Sequence, residues 1–185
     1  SFSERVHNAN SLLLGKVAQQ HCYQDAQGNI NTLNEILVDA WLKNPLNKTE
    51  VYVITAGGVL GSRAQVTYPA VQLQKGEEYF LMLEKDNHLS HDKAFRSAHP
   101  DKLQAFPFAD AQGAWQYQDG KYHDALAEIA LPEKILLEEL NRMAGLVAKR
   151  PDGTPYIARE FSGRTTQTAD VSSFSPNPTD AGTID

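Results

Sequence analysis

Cysteine is almost missing from this chain. Cys22 is the only one, so no disulfide forms within the chain and no thiolate cluster holds a metal. Basic residues are outnumbered, 17 Lys and Arg against 23 Asp and Glu, which leaves a formal net charge of −6. Neutralising phosphates needs a basic face, so no nucleic-acid partner is expected. Long apolar runs are lacking too: Leu12-Leu13-Leu14 and Tyr79-Phe80-Leu81-Met82-Leu83 fall well short of the ~20 residues of a membrane helix. No membrane span is expected. His-Glu-x-x-His and Gly-x-Ser-x-Gly are both absent, which removes the motifs of the zinc proteases and of the serine hydrolases. There is no initiator Met before Ser1-Phe2, which fits either a processed terminus whose signal peptide has gone or a trimmed chain; the first is the expectation. The expected location is therefore secreted, periplasmic or at the cell surface.

What is present suits a globular domain: 41% hydrophobic and 22% charged residues over 185 positions, enough for one body of about 150 residues with a real core and a tail. Ser11 to Tyr23 and Ile30 to Leu42 read as two long strands joined by Asp25-Ala26-Gln27-Gly28-Asn29, a turn-forming pentapeptide. Ile36, Val38, Ala40 and Leu42 recur at period two and are expected on one face. Val51 to Thr55 is a third strand and Arg63 to Tyr68 a fourth, with Gly57-Gly58 between them as a tight turn. Glu78 to Leu83 is apolar on both faces and reads as a central strand covered on both sides. Residues 85–101 form a polar surface loop. A further hairpin is expected from Ala105–Phe108 and Ala114–Tyr117 around Asp110-Ala111-Gln112-Gly113.

From Pro132 onward Ile135, Leu136, Leu140, Met143, Ala144 and Val147 recur at helical spacing, with Glu133 at the front and Lys149 and Arg150 at the back, as the helix dipole favours. The expected architecture is α+β: a mostly antiparallel OB-like β-barrel or curved sheet with one C-terminal amphipathic helix, spanning residues 1–158. Residues 159–185, rich in Ser, Thr, Asp and Pro, read as a linker and the opening of another domain.

Three constellations invite chemistry. His88-x-x-His91-Asp92 with His99 is the most metal-like group, but a zinc site needs a third ligand and an orienting shell. These histidines are expected to be solvated, and a hydrolase would need them to converge with a carboxylate. His21 and Cys22 are neighbours on a strand and point to opposite faces, which opposes a thiolate nucleophile. Phe106, Phe108, Trp115, Tyr117 and Tyr122 form either hairpin packing or a platform for a peptide or glycan. No cofactor is expected.

Ser173-Phe174-Ser175-Pro176 followed by Ala181-Gly182-Thr183 resembles the first strand of a TIG (IPT) domain, an immunoglobulin-like module of surface and secreted proteins. In the body, Leu14-Gly15-Lys16-Val17, the Gly28 turn leading to Thr32, Gly57-Gly58 and Lys75-Gly76-Glu77-Glu78-Tyr79-Phe80-Leu81 resemble an exported bacterial domain. That domain stands ahead of such modules in large proteins, some of them matrixin-like metalloproteases, and its strand order is similar to OB-like barrels and netrin-like domains. The chain departs from the netrin-like inhibitors at their leading zinc-chelating cysteine, since Ser1 stands first and Cys22 lies well inside. The resemblance implies a non-catalytic N-terminal module whose partners are other domains of the same polypeptide, with a protein or glycan ligand as the alternative.

Overall fold

The computed structural model describes residues 1–45, 49–85, 104–108, 110–124 and 126–163. The histidines His88, His91 and His99 and the terminal TIG-like segment lie outside them. In chain order the elements are α1 (Phe2–Asn8), β1 (Ser11–Gln24), β2 (Ile30–Lys43), β3 (Glu50–Ala56), β4 (Gly58–Leu60), β5 (Arg63–Gln65), β6 (Glu78–Glu84), β7 (Gln104–Pro107), β8 (Ala114–Gln118), β9 (Lys121–Asp124), β10 (Ile129–Pro132) and α2 (Glu133–Ala144). The class is α+β and mostly antiparallel β. No helix among the described residues is long and apolar enough to cross a membrane.

The long hairpin β1–β2 is closed by Asp25, whose Oδ1 accepts the backbone N–H groups of Gln27 and Asn29 at 3.0 and 2.8 Å, holding the turn that the sequence announces. The main sheet runs β1-β2-β3-β7-β6-β8-β9-β10, and β1 also pairs with β6 from Ser11↔Leu83 to Lys16↔Glu78. Every contact is antiparallel except β3 with β7, which is parallel and only two residue pairs long. The eight strands do not close into a single barrel, because the sheet continues past β6 into β8, β9 and β10.

Strand β6 is the fork. β1 lies along one side of it, while β7 and β8 share the other, pairing at Leu83↔Pro107 and Tyr79↔Gln116 respectively. The hairpin expected between residues 105 and 117 is therefore corrected: β7 and β8 form one interrupted strand, broken by the 3-10 turn Asp110–Gly113. The true hairpin joins β8 to β9 through Asp119 (φ 50°) and Gly120 (φ 80°), a two-residue turn whose positive φ values match the twist of the flanking strands.

Both faces of the sheet are covered. Leu13, Val17, Ile36, Val53, Tyr79 and Leu81 pack together inside the curl. Leu12, Leu14, Phe80, Met82, Trp115 and Tyr122 form the opposite face beneath α1 and α2. Four alternating residues of β2 do not share a face as expected: Ile36 and Val38 enter the curl, whereas Ala40 and Leu42 face the helices. Irregular pairing between Leu14 and Gly15 inserts a residue and turns the strand over.

Two helix expectations are also corrected. α1 has no apolar stripe to announce it, yet Ser1 caps it in a capping box with Glu4. α2 ends at Ala144, because Gly145 takes the left-handed conformation (φ 64°) and its N–H meets the Asn141 carbonyl, with Leu146 N–H reaching Leu140. Its buried side carries Glu133, Leu136 and Leu140, while Ile135, Ala144 and Val147 are exposed. Lys149 belongs to no helix; it bridges to Trp41 of β2 instead.

Candidate functional site

The chain after α2 returns across the sheet as a strap, residues 145–163. Lys149 N–H donates to the Trp41 carbonyl at 2.9 Å and Trp41 N–H donates back at 2.7 Å. A turn follows in which Asp152 Oδ1 accepts from the N–H and hydroxyl of Thr154 at 2.9 and 2.7 Å. These bonds hold the Asp152 carboxyl below its usual pKa. The strap then brings Arg159 to a carboxylate at the first turn of α2.

That carboxylate is Glu133, 1% exposed. Its Oε1 accepts the Tyr156 hydroxyl at 2.8 Å and the Arg159 backbone N–H at 3.0 Å. Its Oε2 accepts Arg159 Nε at 2.9 Å, Nη2 at 2.6 Å and the Tyr122 hydroxyl at 3.4 Å. Arg159 Nη1 reaches Glu78 Oε2 of β6 at 2.7 Å, and its guanidinium lies 3.9 Å from the Tyr117 ring centre. Burial opposes the guanidinium charge, but the bonds to Glu133 and Glu78 outweigh it and raise the Arg159 pKa. Burial, reinforced by Glu133, pushes the Tyr122 and Tyr156 hydroxyls well above the ordinary tyrosine range. With five donors on it, Glu133 has no lone pair positioned for a substrate proton, so the arrangement fastens rather than reacts. Nearby Asp39 is exposed; partial desolvation and then repulsion by Glu78 raise its pKa.

In the stretch 159–163 Arg159 sits in this cluster, and Phe161 lies beside Lys121, whose ammonium is 5.2 Å from the ring centre. No signal of composition marks Arg159 or Glu133 as partners. The turn Asp119-Gly120 between two apolar stretches was the one cue that would have placed Tyr117 opposite Tyr122.

The aromatic candidates separate. Phe106 is buried with Leu33, Tyr52 and Ile54. Trp115 is buried on the opposite face, edge-on to Phe80 at 5.8 Å and tilted over Phe2 at 4.7 Å. Phe108 and Tyr117 are half-buried beside the Trp115 cluster, so the set presents no joint exposed platform. His21 is exposed and Cys22 is half-buried, its Sγ 3.5 Å from Thr32 Oγ1 on the neighbouring strand. No group of three or more His, Cys, Asp or Glu among the described residues is arranged to hold a metal ion.

No family model matches this sequence, and no curated protein matches it. The geometry has to speak for itself, and its second distinctive region is a finger. Strands β4 and β5 pair only with each other, as a separate two-stranded sheet whose Gly58 lies against Thr32 and Cys22 of the main one. On the finger and the loop behind it Val59 is 63% exposed, Val66 89% and Tyr68 93%. At its base Thr32 Oγ1 donates to the Gly57 carbonyl at 2.7 Å and Gln65 Oε1 accepts Ile30 N–H at 2.8 Å. The finger is thus rooted in polar bonds and apolar at its surface.

Proposed function

We propose that this chain is a non-catalytic module of an exported multidomain protein, and that the 58–68 finger seats it on another domain of the same polypeptide. The observation that carries this reading is the exposure of three large apolar side chains within ten residues, Val59 on the separate β4–β5 hairpin and Val66 and Tyr68 in the loop that follows it. Grouped exposed apolar residues mark contact surfaces. The Glu133 cluster supports it from the other side, since the most elaborate set of ionisable groups is spent on fastening.

In this reading β1, β2, β3, β7 and β6 form an OB-like curl, a partly open five-stranded arrangement; the return of pairing from β6 to β1 supports it. The resemblance of the sequence to modules that precede immunoglobulin-like and metalloprotease domains names the kind of neighbour.

The test is calorimetry on the intact parent polypeptide beside the 185-residue chain. A seated finger stabilises the module by linkage, so the module melts higher inside its parent, and V59S/V66S/Y68S removes that increment while leaving the isolated chain's melting unchanged. Equal melting of the wild-type module in both settings overturns the proposal.

A further inference from the structure

We infer that the strap 145–163 is a latch that leaves the body as one unit, with Arg159 as the positioning residue that keeps it closed. The grounds are independent of the finger. The strap begins at the left-handed Gly145, a natural hinge, and its backbone joins the body through the paired bonds between Lys149 and Trp41 and then through Arg159. Between these points its backbone bonds are internal: Tyr156 N–H to the Ala148 carbonyl, Arg150 N–H to Thr154 and Gly153 N–H to Arg150. Few apolar groups anchor it. Ala148 is buried, Leu146 and Tyr156 are half-buried, and Val147 and Ile157 face solvent.

The side-chain fastening is therefore concentrated at Glu133, where Arg159 carries most of it beside the Tyr156 hydroxyl. Arg159 supplies three of the five donors on Glu133 and the only strap contact to Glu78 among the described residues. Segments with few buried apolar contacts open locally at lower cost than core strands. Opening releases the two backbone bonds that Lys149 makes with Trp41 of β2. The latch thus sets the state of the β2 backbone at Trp41.

Hydrogen exchange read by mass spectrometry on the full 185-residue chain tests this, comparing wild type with R159Q, R159K and, as a control on an exposed helix pair, R142Q. In R159Q the peptides covering 145–163 exchange at least tenfold faster, as does the Trp41 amide that donates to the strap, while β1, β3 and the rest of β2 are unchanged. R159K keeps the charge without the fork geometry and falls between, and R142Q matches wild type. Unchanged exchange of the strap in R159Q overturns the inference. So does uniform acceleration across the whole chain in R159K, because the strap then opens only with the body.

Discussion

The inside of the curl and the face beneath the helices are held by different means. Inside the curl the polar groups are neutral: Asn34, fully buried, donates to the Val53 carbonyl at 2.9 Å and to Thr55 Oγ1 at 3.1 Å while accepting from Gln20 Nε2 at 2.7 Å. Beneath the helices the apolar cluster is rimmed by buried carboxylates. Asp124 receives Arg5 at 2.6 Å and Glu133 receives Arg159 at 2.6 Å. Neutral networks cross-link strands that already share a ladder, whereas each ion pair ties a terminal segment to the body, at β9 through Asp124 and at α2 through Glu133. Charge is used where the chain has no ladder to rely on.

The comparison predicts a ranked set of outcomes by urea denaturation. Trp115→Ala empties the centre of the helix-facing cluster and should cost roughly 3–5 kcal/mol; Leu81→Ala inside the curl should cost about 2–5 kcal/mol. Similar values would show two cores of equal weight, and a negligible loss for either would break the two-core description. Arg5→Gln leaves Asp124 buried and unpaired and should cost about 3 kcal/mol; Arg159→Gln should cost less, because that guanidinium is 40% exposed and its pair is partly screened. The reverse order would contradict the placement of the two carboxylates. Asn34→Ala strips neutral bonds only and should cost about 1–3 kcal/mol.

The smallest effect concerns Asp39. Its folded-state pKa is raised, so the folded chain binds that proton more tightly than the unfolded one and stability is lowered at neutral pH. Asp39→Asn should therefore stabilise the protein by about a few tenths of a kcal/mol at pH 7. The gain disappears as the pH falls below the ordinary aspartate value of ~3.9. A gain that persists undiminished in acid would contradict the cause assigned.

Much of the sheet was legible because its signals are local. Asp25 and the alternation of β1 and β2 fix one hairpin, and the doubly apolar run Tyr79 to Leu83 marks a central strand. What the sequence hid depends on distance along the chain. The face switch at Leu14/Gly15 comes from an inserted residue that period-two counting does not register. β7 and β8 both carry aromatic residues with a turn between them, the pattern of a hairpin, yet each pairs with β6. The fastening cluster joins Glu78, Tyr122, Glu133 and Arg159, which no spacing rule connects. Gly145 was the missed stop signal for α2, and apolar residues beyond it at helical spacing disguised it.

Tyr68 offers the most direct test of the functional reading. Hydroxyl-radical labelling followed by mass spectrometry, performed on the 185-residue chain and on its intact parent polypeptide, reports the exposure of that ring in each. The account predicts at least fivefold slower labelling of Tyr68 in the parent, with Tyr52 in the core slow in both. Equal labelling in the two would contradict it.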